Sequence, residues 1–182
     1  MIRTLLILTI VTVFALSLVV GQTTKPEAAD KVLITALKES KAANKPVFLI
    51  FHASWCGWCK RLEKAMESPE LKKIFEENYV IAHLDVLESK EKVDSLENPG
   101  GKEIMAKFGG EKSGLPFYAF LDQAGKRIAN SNVMPKDQNI GYPGSVEEIE
   151  AFIKLLKTSS PKMSEQQVTA IADYFKKNAP KS

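Results

Sequence analysis

Five consecutive apolar residues, Val47-Phe48-Leu49-Ile50-Phe51, run almost directly into two cysteines three positions apart, Cys56 and Cys59. A short continuous run of β-branched and aromatic residues is the pattern of a strand buried on both faces. From Cys59 the apolar spacing turns helical, with Leu62, Ala65 and Met66 inward and Lys60, Arg61, Glu63 and Lys64 outward. The pair therefore sits where a buried strand hands over to a helix. These are the only cysteines among 182 residues. A two-residue gap closes almost no loop, so the pair is a poor structural staple and is better suited to reversible chemistry. A thiolate is the nucleophile of disulfide exchange, and the unpaired N–H groups and dipole of a helix start favour an anion there. This geometry gives Cys56 the attack on a substrate disulfide. Cys59, one turn on and more buried, resolves the mixed disulfide.

The rest of the chain supplies a mixed sheet with helices around it. Val32, Leu33, Ala36, Leu37 and Ser40 share one face of a predicted helix over 28–43, stopped by Asn44-Lys45-Pro46. Ser68-Pro69 reads as an N-cap and first-turn proline, opening a helix that runs to about Asn78. Tyr79 to Val86 is a second strand. Glu88 to Gly101 is a charged loop or partly helical insertion, and Lys102 to Phe108 a short helix closed by Gly109-Gly110. Phe117–Leu121 and Lys126–Ala129 flank Asp122-Gln123-Ala124-Gly125 as a hairpin. Ser145 with Glu148, and Ser164 with Gln167, are capping boxes before two apolar helices. The stripe Val168 to Phe175 of the last helix is expected to pack back on the domain.

Arg3 precedes an uncharged stretch from Thr4 to Thr24 that is almost continuously apolar from Leu5 to Val20. That is a secretory signal with cleavage before Gln22, or an uncleaved anchor over residues 4–20. Either places the globular part in an extracytoplasmic compartment, periplasmic or extracellular. No cysteine follows the run, so lipoprotein processing is not expected. The expected division is 1–21 as signal or anchor, 22–160 as the domain and 161–182 as a helical extension. The net charge of +3 and the interleaving of lysines with glutamates give no nucleic-acid face.

Phe51-His52-Ala53-Ser54-Trp55-Cys56-Gly57-Trp58-Cys59-Lys60 resembles the active-site segment of the thioredoxin superfamily. Gly114-Leu115-Pro116-Phe117-Tyr118-Ala119-Phe120 resembles its second landmark, the strand opened by a cis-proline. Asp122 to Lys126 is similar to the family's hairpin turn and Ser145 to Leu156 to its closing helix. The likeness spans roughly 28–157. Within the superfamily it is nearest to exported bacterial thioredoxin-like proteins with a Trp-Cys-Gly-Trp-Cys-Lys site. The resemblance implies an α/β, thioredoxin-like three-layer fold: a central mixed sheet flanked by helices, here with an extra C-terminal helix. It also implies a cis Leu115–Pro116 bond against Cys56 and Cys59, and a Leu115 backbone offered to an extended substrate.

One position departs from the family. Many thioredoxins carry a buried aspartate six residues before the first cysteine, and Ile50 stands there. His52 is the nearest titratable group and the candidate for proton transfer, with His83 and Asp85 on the next strand. Trp55 and Trp58 are expected to form an apolar rim beside Gly57, although Trp58 can equally pack on the helix. The expected activity is protein-disulfide exchange, more reductase-like than oxidase, by a monomer acting on disulfide or dithiol proteins. A separate redox partner, such as a membrane electron donor, would recharge it. No glycine-rich phosphate loop is present, so the redox-active disulfide is the only expected cofactor, and no metal site is assigned. Two other readings stand beside this one. The first is a non-catalytic binding module on the same fold. The second is zinc held by Cys56, Cys59, His52 and His83, which lacks the usual second short-spaced ligand pair.

Overall fold

In the computed structural model the apolar run near the N-terminus of the domain is β1 (Val47–His52), second strand of a four-stranded sheet ordered β2-β1-β3-β4. Residues 25–180 are described; the expected signal or anchor and the last two residues lie outside them. Among the described residues no helix is long and apolar enough to cross a membrane. β1 pairs in parallel with β2 (Val80–Asp85) and antiparallel with β3 (Phe117–Leu121). β4 (Arg127–Asn130) closes the edge through the expected hairpin, where Gly125 takes the left-handed φ of +79° that the turn needs.

Strand alternation gives the sheet two faces. Val47, Leu49 and Phe51 pack with Ala36 of α1 (Ala29–Ala43) and Met105 of α5 (Gly101–Lys107). Phe48 and Ile50 pack on the other side with α2 (Gly57–Met66), α3 (Lys72–Asn78), α6 (Val146–Ser159) and α7 (Glu165–Lys177). Three layers result, as the resemblance implies. Both capping boxes are formed, Ser145 accepting from the Glu148 N–H and Ser164 from the Gln167 N–H. Val168, Ile171 and Phe175 are buried, and the Phe175 ring stands 5.4 Å from that of Phe152 on α6.

One local reading is corrected. α3 begins at Lys72 rather than at Pro69, because Ser68 to Leu71 form a turn held by the Ser68 carbonyl. The Ser68 hydroxyl is buried and has no hydrogen-bond partner among the described residues. The stretch between β4 and α6 carries a small hairpin that no sequence signal announced, β5 (Asn132–Met134) with β6 (Gln138–Asn139). The 86–100 insertion is mostly turns around a single short helix, α4 (Val93–Leu96).

Candidate active site

Cys56 is the N-cap of α2, and its sulfur accepts a hydrogen bond from the Cys59 N–H at 3.1 Å. The two sulfurs are bonded to each other, with the Cα atoms 5.3 Å apart. The helix start therefore points a backbone donor at the Cys56 sulfur, where the sequence spacing expects the nucleophile. Cys59 is the more buried of the two, at 1% against 3% exposed, but the difference is small. Ala53 and Leu115 pack against the pair. The approach from solvent passes exposed Gly57 and Gly114, where a Cβ would meet nothing within 4 Å.

The Leu115–Pro116 bond is cis, as the resemblance implies. Asn139, on the unannounced hairpin, holds this loop by donating from Nδ2 to the carbonyls of Gly114 (2.8 Å) and Pro116 (2.9 Å). Between this loop and α2 lies an open groove of about 820 Å³, lined by Trp58, Leu115, Ile140 and Tyr142. Trp58 stacks on Tyr142 with centroids 5.8 Å apart, and the Arg61 guanidinium lies 5.7 and 5.0 Å from the two ring centroids. Trp58 thus packs one face on a residue outside its own helix, and half of it stays exposed. Trp55 is 57% exposed, its indole N–H donating to the Leu87 carbonyl at 2.8 Å.

The insertion after β2 also clamps the segment in front of Cys56. Buried Glu88 accepts from both the backbone N–H and the hydroxyl of Ser54. Its own N–H donates to Glu97, which pairs with Lys102. A charged loop gives no sign of this in sequence, since acidic residues between turns are read as solvated.

Behind the pair the sheet turns polar. Ile50 is fully buried, so the position that holds an acid in many thioredoxins is apolar here. Two residues on, His52 shares a face with His83 and Asp85, because β1 pairs Ile50 with His83 and His52 with Asp85. Glu63 does not point outward as its helical position suggested; it turns in to the same place. Its Oε1 lies 2.6 Å from His52 Nδ1 and 3.8 Å from His83 Nδ1, and His52 Nε2 lies 3.4 Å from Asp85 Oδ1. Burial, and then the neighbouring His52, hold the His83 pKa below the usual histidine range. Burial likewise raises that of Asp85. The four-ligand arrangement with the cysteines is not formed: the sulfurs bond each other while both histidines converge on Glu63.

A 113-residue stretch, 60% of the chain, is 31% identical to an uncharacterised protein of Caenorhabditis elegans; the chain spans 14% of that relative's length. Among solved structures, a disulphide isomerase from Xylella fastidiosa is similar with a TM-score of 0.49 at 20% identity. That match covers 82% of this chain and 90% of that one. The C-terminal domain of DsbD from Neisseria meningitidis matches with a TM-score of 0.42 at 23% identity, over 58% and 84% of the two chains. The family model described as thioredoxin-like matches residues 30–123, half of the chain, from α1 through β1, the cysteine pair and the cis-proline into the hairpin turn. On that match, with the cysteine pair and cis-proline where the fold requires them, the chain belongs to the thioredoxin-like family.

Proposed function

We propose that the chain is an extracytoplasmic thiol–disulfide oxidoreductase that reduces protein disulfides through Cys56 and Cys59. The observation that carries the reading is the bridged pair at the start of α2, beside an open groove that ends on the Leu115–Pro116 loop. In the dithiol form the Cys56 thiolate attacks one sulfur of a substrate disulfide. That bond breaks, and the other substrate sulfur leaves as a thiolate that takes up a proton. The Cys59 thiolate then attacks Cys56, releasing the second substrate thiol and leaving the Cys56–Cys59 disulfide. Two electrons have passed to the substrate, and a dithiol donor, soluble or in the membrane, returns two by the reverse exchange. No cofactor beyond the two sulfurs is needed.

The groove suits an extended peptide. Leu115 offers backbone at one wall, while Trp58 and Tyr142 offer flat apolar surface at the other. The thiol proton is assigned to His52 with Glu63, which lies one turn beyond Cys59 on the same helix. A Glu63→Gln variant that resolves mixed disulfides at the full rate would remove this role. Export rests on Arg3 and the apolar run to Val20. An alkaline phosphatase fused after Ser182 and found inactive in cells would contradict it.

The decisive experiment is insulin reduction with dithiothreitol. Wild type is expected to accelerate it and Cys56→Ser to bring it to the uncatalysed rate; equal rates would end the assignment. Cys59→Ser is expected to trap substrates as mixed disulfides on Cys56. A trap that stays empty would favour a binding module instead.

A further inference from the structure

We propose that His52, Glu63 and His83 together bind one divalent transition-metal ion of the zinc type. The three come from separate elements, the end of β1, the middle of α2 and the middle of β2. One ligand atom from each lies within 4.8 Å of the other two. Two imidazoles and a carboxylate are a borderline donor set that suits zinc and its neighbours, whereas magnesium and calcium call for oxygen throughout. Three protein ligands leave a remaining position to solvent.

The hydrogen-bond pattern points the same way. Glu63 Oε1 and His83 Nδ1 are both shielded from solvent and have no hydrogen-bond partner among the described residues. The 2.6 Å approach of His52 Nδ1 to Glu63 Oε1 is a close contact without hydrogen-bond geometry. Shielded polar atoms left unpaired are costly, and here they face one another. A cation between them would satisfy all of them together. His52 also carries the support that metal-bound histidines have. Its other nitrogen, Nε2, faces the Asp85 carboxylate at 3.4 Å, which orients the ring.

The sulfurs take no part, so the proposal does not rest on whether the chain reduces disulfides. The site stands next to the cysteine pair nonetheless, since Glu63 is one turn beyond Cys59.

The test uses the full chain carrying Cys56→Ser and Cys59→Ser, so that no thiolate can bind metal and no exchange chemistry is read. Titration with Zn²⁺ against a chromophoric chelator is expected to show one ion per chain. Adding Glu63→Gln or His83→Gln should weaken binding by at least about tenfold, and Asp85→Asn by about tenfold. With Co²⁺ the visible spectrum should show ligand-field bands and be lost in the same variants. Absence of stoichiometric zinc would overturn the proposal, as would affinity unchanged in both the Glu63 and His83 variants. Circular dichroism separates a lost ligand from a lost fold. If only the reduced parent with both cysteines binds zinc, thiolates hold it and the proposal also fails. Insulin reduction enters none of these outcomes, so the two readings stand or fall separately.

Discussion

The two faces of β1 are built from adjacent residues and do different work. On the α1 and α5 side, Val47, Leu49 and Phe51 are apolar to the end of the strand, where Phe51 meets Phe117 with centroids 5.5 Å apart. On the α2 side, Phe48 and Ile50 are as deeply buried, but His52 ends the row among Glu63, His83 and Asp85. The first face only packs. The second passes from packing to chemistry within two residues, and it is the face that carries α2 and both cysteines. The contrast teaches that β1 keeps its one polar side chain, His52, at the strand's end, where α2 begins, and that the core beneath holds it in place.

If that is so, deep positions on the α2 face should be as costly to hollow out as any core site. Phe48 is fully buried, with the rings of Phe75, Tyr79, Tyr118 and Phe120 at 4.5–6.2 Å. Phe48→Ala should lower stability by about 3–5 kcal/mol, the usual loss for a large aromatic whose cavity cannot collapse. Urea unfolding with an unchanged slope is the measurement. Leu49→Ala on the opposite face should cost about 2–5 kcal/mol. A loss well under 1 kcal/mol at Phe48 would show that the face is loosely packed throughout and would break the comparison.

Local signals made one half of this picture legible in sequence and long-range pairing made the other half. The capping boxes at Ser145 and Ser164 need only four consecutive residues, and both are formed. The cis-proline was implied by its motif. Glu63 reads as solvated because its neighbours on the helix are charged; it turns in to His52, eleven residues earlier, and to His83, twenty residues later. His83 shares a face with His52 only through the β1–β2 register. Glu88 and Asn139 escaped notice for the same reason, each acting on a loop 23 or more positions distant. Ser68 misled in the other direction: the right residue type precedes a helix, but the chain makes an extra turn before α3 starts.

A smaller effect sharpens the comparison within the α2 face itself, where two buried tyrosines differ only in what their hydroxyls meet. The Tyr79 hydroxyl donates to the Leu156 carbonyl at 3.0 Å and bonds the Ser159 hydroxyl at 2.8 Å. Tyr79→Phe should therefore cost about 1 kcal/mol near neutral pH, the net worth of a buried hydrogen bond. An unchanged thermal midpoint would show that these contacts contribute nothing.

Tyr118 is the opposite case, and the smallest effect is expected there. Its ring is fully buried against Phe48, Phe120 and Phe152, while its hydroxyl has no hydrogen-bond partner among the described residues. Removing an unpaired polar atom and keeping the ring should leave stability at neutral pH unchanged or slightly raised. The pH dependence gives a second handle. Burial pushes the pKa of both tyrosines well above the usual range. The unfolded chain therefore loses these protons first, from about pH 10, while the folded chain still holds them. Above that pH the folded state binds more protons than the unfolded one, so stability falls as pH rises. Tyr118→Phe takes one such group away, and its stability should fall less steeply than wild type between about pH 10 and 11. Denaturant unfolding at pH 7 and pH 11 measures both. A loss at pH 7 comparable to that of Tyr79→Phe would mean that the Tyr118 hydroxyl is paired after all, and the contrast between the two tyrosines would fall.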